Sequence, residues 1–246
     1  MIRTENRSAV LAYLDQYPIV TLNIRGIIGN AAAEIFVDDA TAPRGVAVRA
    51  GDFIYCFTEQ DDVLDDICGT LLRKPGQYGL GGVWRPLAEK LRQRFAVHWD
   101  EPCALYYLPP ANLRRELIRH RTEPIRLEDA AVVDRYYTYR DSASLQAIAE
   151  AISRRPSAAV YAGGVLASWV LVHDDNSLGI MYTREEYRGR GYAVDTTVAL
   201  AETLLAAGQI PFLHIRLDNR MSPGLAAKCG FVRYGFADWF GITVAE

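Results

Sequence analysis

Met181-Tyr182-Thr183-Arg184-Glu185-Glu186-Tyr187-Arg188-Gly189-Arg190-Gly191-Tyr192-Ala193 reads as the end of a strand, a tight basic turn and the start of a helix. Arg188 to Ala193 fit the pattern Arg/Gln-x-x-Gly-x-Gly/Ala. Without a Cβ, Gly189 and Gly191 let the backbone turn through positive φ and come close to a ligand. Several N–H groups would then point outward together at the positive end of the following helix, a site suited to an anionic group such as a pyrophosphate. Arg188 and Arg190 add charge that deprotonation cannot remove.

Working outward, the chain of 246 residues allows one large domain or two small ones. Half the residues are hydrophobic, enough for one or two cores, and with a net charge of -3 no basic surface dominates, so composition does not point to nucleic acid. Four cysteines (Cys56, Cys68, Cys103, Cys229) show no Cys-x-x-Cys spacing, and four histidines (His98, His120, His173, His214) form no local metal motif. Reduced thiols and no metal are expected. The polar start, Met1 to Arg7, leads into no long apolar run, so neither a signal peptide nor a membrane span is expected. The expectation is a soluble, cytoplasmic protein.

Residues 5–16 are predicted helical, 19–24 a short β-prone segment, 34–37 and 45–57 strands with a hairpin at Gly51-Asp52, and 61–72 a helix with an acidic first turn. The glycine-rich run 74–82 lacks a Gly-Lys-Ser/Thr ending, so it is no P-loop and reads as a flexible turn before a helix over 83–94. A strand over 103–108 follows. The charged run 112–123 reads as a solvated helix or linker, and a domain boundary is placed there, giving domains 1–120 and 121–246.

Beyond it come a short strand at 125–127, a helix over 128–137, and a second helix N-capped by Ser142. Strands 158–162 and 165–173 are joined by Gly163-Gly164. A turn at Asp174-Asp175-Asn176 precedes the strand 178–183. The helix 191–207 carries Val194, Val198, Ala201 and Leu205 on one stripe, with Gly208 as its C-cap signal. A strand over 212–217, a helix over 222–228 closed by Cys229-Gly230-Phe231, and two short aromatic strands complete the chain.

This order, with the Arg188–Ala193 turn after the fourth strand, resembles the GNAT superfamily of acyl-CoA-dependent N-acyltransferases. Asn219-Arg220-Met221-Ser222 through Leu225, Lys228, Gly230 and Phe231 is similar to a second block of that family, Asn-x-x-Ser/Ala…Leu…Lys-x-Gly-Phe. A Rossmann reading of the turn fails, because Val194 stands where a third small residue is needed and no acidic ribose ligand follows. Glu186-Tyr187-Arg188 and Trp239-Phe240 are similar to the glycine N-acyltransferase-like branch, whose members carry a diverged half before the catalytic one. The resemblance implies an α+β (mixed α/β) fold: a C-terminal GNAT domain with a central, mostly antiparallel sheet flanked by helices, preceded by a smaller GNAT-like half that lacks the glycine turn.

It also implies chemistry. An amine attacks the thioester of acetyl-CoA, or another acyl-CoA, directly in a ternary complex. Arg188, Gly189, Arg190, Gly191, Tyr192 and Ala193 would hold the pyrophosphate. Met181, Tyr182 and Thr183 would bond pantetheine through their backbone, and an N–H near Met181 or Tyr182 would polarise the thioester oxygen. Asn219 would bind the pantetheine arm, with Ser222 and Lys228 on the helix beside it. The chain departs from the family at the acid and base. Ser177 stands where that branch has its glutamate, and Ala226 where many members have a tyrosine. Asp174, Asp175 and His173 read more simply as a solvated turn, and Tyr182 and Tyr192 as packing or cofactor contacts. Asp175, Tyr182 and Tyr192 are the remaining catalytic candidates, with the roles unassigned. Cys229 reads as a buried helix-end residue.

Three functions follow as alternatives: an N-acetyltransferase acting on a small-molecule amine or amino acid, a non-catalytic acyl-CoA-binding protein, or a partner-binding module on the same scaffold. A homodimer is left open, and no nucleic-acid or membrane partner is expected.

Overall fold

A computed structural model describes residues 1–245. In chain order the elements are β1 (Ile2–Arg3), α1 (Arg7–Leu14), α2 (Leu22–Ile27), β2 (Glu34–Val37), β3 (Gly45–Ala50), β4 (Phe53–Thr58), α3 (Asp61–Leu71), β5 (Gly76–Trp84), α4 (Arg85–Arg94), β6 (Ala96–Glu101) and β7 (Cys103–Tyr107). After short 3-10 turns come α5 (Ala130–Arg135), α6 (Ser144–Arg154), β8 (Ser157–Ala162), β9 (Val165–Val172), β10 (Leu178–Thr183), α7 (Tyr192–Ala206), β11 (Phe212–Arg216), α8 (Ser222–Lys228) and β12 (Val232–Val244). The fold is mixed α and β, with a central, mostly antiparallel sheet in the order β1-β2-β3-β4-β5-β12-β7-β11, β6 pairing with β12. Among the described residues no helix is long and apolar enough to cross a membrane.

The chain divides into two compact units that interleave in sequence. Met1–Leu105, His214–Asp218 and the chain from Tyr234 on form one; Tyr106–Leu213 and Asn219–Arg233 form the other. In the first unit, β4 and β5 are parallel and register only at Phe53/Gly79 and Ile54/Leu80, then part. Its core includes one cluster around Leu64, Ile67, Leu91 and Phe240 and another around Leu14, Ile24, Ile27 and Phe57. In the second unit, β10-β9-β8 form a three-stranded antiparallel sheet. Trp169 and Leu171 of β9 face α5 and α6 in a core with Val133 and Ile148. Val170 and Val172, at alternate positions, turn to the other face, where α7 packs.

Several local expectations are corrected. The β-prone segment 19–24 runs into helix α2 instead. Ile24, Ile27 and even Asn23 are buried there, so the apolar, β-branched composition reflects burial nearly all round. The run 74–82 is strand β5, not a turn. A Cβ on Gly79 would stand 2.9 Å from the Phe53 ring and one on Gly81 2.6 Å from the Tyr55 ring, so these glycines make room for aromatic side chains of β4. Residues 125–127 form no strand; Glu123 makes one isolated bridge to Ala159 and a 3-10 turn follows. Ala143, not Ser142, is the N-cap of α6, and Asp141 just before it holds the entry turn, its Oδ1 accepting from the N–H groups of Ala143 and Ser144. The two final strands are one, β12, and β6 is a strand the pattern did not announce.

Candidate functional site

The second unit contains the whole Met181–Ala193 stretch. β10 is an end strand of its three-stranded sheet. Gly179 registers with Leu171 and Tyr182 with Trp169, so Ile180 and Met181 together oppose Val170 in a β-bulge. Ile180 sits at φ 47°, a conformation strained for a β-branched residue. Beyond the bulge, Arg184 donates its N–H to Ala167 O at 3.0 Å. Alternation along an antiparallel ladder therefore turns the N–H and C=O of Thr183 away from β9, toward the open edge. The short side-chain contact Thr183 Oγ1–Ser168 Oγ, 2.7 Å, fits such a pair.

The turn then forms as its glycines require. Gly189 and Gly191 have φ of 77° and 89°. A Cβ on either would meet nothing within 4 Å, so the turn faces open space. Among the described residues, the N–H groups of Gly189, Arg190, Gly191, Tyr192 and Ala193 have no hydrogen-bond partner. These include orphan donors of the start of α7, where the helix dipole favours an anion. Arg188 leans back onto β10: Nε donates to Thr183 O at 3.1 Å and Nη2 to the Tyr182 hydroxyl at 3.2 Å. Arg190 donates to Glu186 O at 3.2 Å. The structure thus brings Tyr182, Thr183 and Arg188 together.

Asn219 and Ser222 meet at the start of α8. Asn219 Oδ1 accepts from the N–H groups of Met221 and Ser222, and Nδ2 donates to Ser222 Oγ at 3.0 Å. The Asn219 side-chain carbonyl therefore holds the turn that leads into α8, whose N-cap is Met221. Lys228 is exposed in the last turn of α8. Cys229 is buried behind it against Thr197, and burial pushes its thiol up to about 12, as expected of an inert residue.

The acid–base candidates lie apart. Asp175 stands before the far end of β10 from Thr183, and it is not solvated: it is 1% exposed, with Oδ1 accepting from Ser177 N–H (2.9 Å) and Oγ (2.6 Å) and Oδ2 without a partner. His173 is half-buried, its ring resting on Gly179, where a Cβ would touch Nε2. Both correct the reading of a solvated turn. Desolvation holds the His173 imidazole below its ordinary range. The Tyr182 ring stacks on Tyr136 (4.6 Å, 20°) and its hydroxyl already takes the Arg188 hydrogen bond. The Tyr192 ring packs edge-on to His120 at 4.7 Å.

One pairing escaped the sequence reading. Asp195, one turn into α7 and buried, accepts from Arg119 N–H (2.8 Å) and lies 2.7 Å from His120 Nδ1. Further along, Arg115 Nε pairs with Glu202 at 2.7 Å, so the charged linker lies along this helix. The available signal was an acidic residue within the buried turn of α7.

Comparison with known proteins bears on the fold. Residues 158–240 match the family described as FR47-like protein. No curated protein matches the chain by sequence. Among solved structures, a Drosophila protein superposes with a TM-score of 0.80 at 14% identity, covering 98% of each chain. A GCN5-related N-acetyltransferase from Kribbella flavida gives 0.60 at 12% identity, over 92% of this chain and 94% of that one. A tandem GNAT protein from the clavulanic acid biosynthesis pathway gives 0.57 at 13%, over 90% and 87%. The chain therefore has the fold of the GNAT acetyltransferases, with an FR47-like segment from β8 into β12.

Proposed function

We propose that this protein is an acyl-CoA-dependent N-acyltransferase, moving acetyl from acetyl-CoA to a primary amine of a small molecule or amino acid by direct attack in a ternary complex. One observation carries this reading: five consecutive N–H groups, Gly189 to Ala193, are unpartnered among the described residues at the start of α7, in a turn whose two glycines border open space. They are fitted to a pyrophosphate. The acyl-CoA supplies the activated thioester. The chain's part is to hold it along the outward backbone of Thr183 and to present an N–H of the bulged segment near Met181 to the thioester oxygen. Asn219, Ser222 and Lys228 of the α8 segment complete the proposed donor site. Within the superfamily we assign the glycine N-acyltransferase-like branch, on Glu186-Tyr187-Arg188 and Trp239-Phe240.

The same proposal takes residues 1–120 as a diverged half and 121–246 as the catalytic half. The strand–helix–strand order β4-α3-β5, with parallel strands that part, supports a GNAT-like origin for the first. There Asn23 Nδ2 donates to Gly81 O and Gly82 O, and the Tyr55 ring covers Gly81. Its own side chains fill β5, so one donor site per chain is expected.

The second reading, an acyl-CoA-binding protein without turnover, is favoured by Ala226, buried where a tyrosine acid would stand, and by Ser177, whose hydroxyl is committed to Asp175. Thiol release from acetyl-CoA with a panel of primary amines tests the proposal. Release with at least one amine, above hydrolysis, is the expected result. CoA binding without turnover on any acceptor selects the second reading, and no CoA binding removes both.

A further inference from the structure

Arg188 belongs to the turn, yet its guanidinium lies on the strand. Nε is 3.1 Å from Thr183 O, Nη2 is 3.2 Å from the Tyr182 hydroxyl, and the guanidinium carbon is 5.4 Å from the Tyr182 ring centre. Glu185 adds an ion pair at 3.6 Å. Thr183 O is the outward acceptor on the open edge of β10. A pantetheine arm, which carries two amides, would add to this edge as a strand does, its N–H donating to that oxygen. The oxygen is covered by a turn residue whose charge a pyrophosphate would attract.

Resting on the acyl-donor reading above, the geometry points to Arg188 as a specificity-determining residue that makes access to the edge conditional on phosphate. A phosphate in the turn offers the guanidinium bidentate, charge-assisted hydrogen bonds, stronger than those to a neutral carbonyl and a phenol. Drawn into the turn, Arg188 uncovers Thr183 O for the pantetheine amide. A thioester lacking phosphates, such as a pantetheine or cysteamine thioester, meets a covered edge. The protein thereby selects CoA thioesters over shorter ones through the exclusion of a competitor as well as through added contacts. Because the two ligand parts bias one side chain, their binding is coupled, and coupling is reciprocal.

Titration calorimetry on the full chain with pantetheine, inorganic pyrophosphate and CoA tests this without an acceptor. Saturating pyrophosphate is expected to tighten pantetheine binding to the wild type about fivefold or more. In Arg188→Ala, pantetheine alone binds more tightly than it does to the wild type and the coupling disappears, while CoA weakens about tenfold. Arg188→Lys, with charge but no fork, regains part of the CoA affinity. No effect of pyrophosphate on pantetheine in the wild type overturns the inference, as does an Arg188→Ala variant that loses pantetheine and CoA in equal measure. In both cases CoA still binds the wild type and the acyl-donor reading stands. Failure of the wild type to bind CoA instead removes that reading, and this inference with it.

Discussion

His120 Nδ1 lies 2.7 Å from Oδ2 of the buried Asp195, and the same carboxylate accepts the Arg119 N–H at 2.8 Å. A segment that reads as a solvated linker is thus tied to the helix that follows the glycine turn, one turn from its start. Removing the carboxylate takes away a part-buried hydrogen bond from the Arg119 N–H, and a hydrogen bond to a charged group is worth about 1.5–3 kcal/mol. Asp195→Ala should lower stability by about that amount, and Asp195→Asn, which keeps an acceptor, by less. Urea denaturation of the two variants beside the wild type measures this. Equal midpoints for all three would show the tie to be energetically idle.

Gly191 should be sensitive in ligand binding more than in folding. Its φ of 89° strains any L-residue, at roughly 1–2 kcal/mol, although its Cβ would meet open space. Gly191→Ala should therefore fold and bind CoA modestly less well. Gly191→Glu adds a carboxylate against the phosphates and should weaken CoA by more than about tenfold. Unchanged CoA affinity in a folded Gly191→Glu variant, read by calorimetry and circular dichroism, would move the donor site elsewhere.

The donor-side elements were legible because their signals are local. Positive-φ glycines mark the turn, a buried stripe marks α7, and Pro223 in the first turn marks α8, which spans Ser222–Lys228 as read. What was not legible depends on distant partners. Gly79 and Gly81 are strand residues because Phe53 and Tyr55 need their space, and no window around 74–82 contains those rings. Ile180 at φ 47° runs against its own β-branched preference, and its packing against the Trp169 cluster accompanies that strain. The Asp195–His120 tie spans 75 residues of chain, beyond any local pattern.

Asp238 is a buried charge that gathers several partners in the first unit. It is fully buried and accepts from Arg85 Nε and Nη2 (3.0 and 2.7 Å), Arg92 Nη1 (2.9 Å) and Cys103 N–H (3.2 Å). Asp238→Ala strands the Arg85 guanidinium and the Cys103 amide and leaves Arg92 with Asp100 alone, and a broken buried ion pair costs about 3–5 kcal/mol. Much of a typical domain's stability would be lost, seen as a large fall in melting temperature or as insoluble protein. A melting temperature within a few degrees of wild type, about what 1 kcal/mol would cause, would mean the arginines find other partners.

His173 should give the protein an acid-sensitive slope. Burial lowers its pKa from the ordinary 6.5, Asp175 and Asp174 pull it back up, and Arg155, itself paired to Asp174 at 2.5 Å, pushes it down. Below about pH 6.5 the unfolded chain binds this proton and the folded chain does not. The stabilisation is therefore complete above that pH and is lost progressively as pH falls toward the lower, folded-state value. His173→Gln removes the titration and should flatten that part of the curve, whatever it does to absolute stability. Urea midpoints of both proteins between about pH 7 and about pH 5 give the comparison. Parallel curves would mean that His173 gains its proton as easily in the folded chain as in the unfolded one, despite its packing against Gly179.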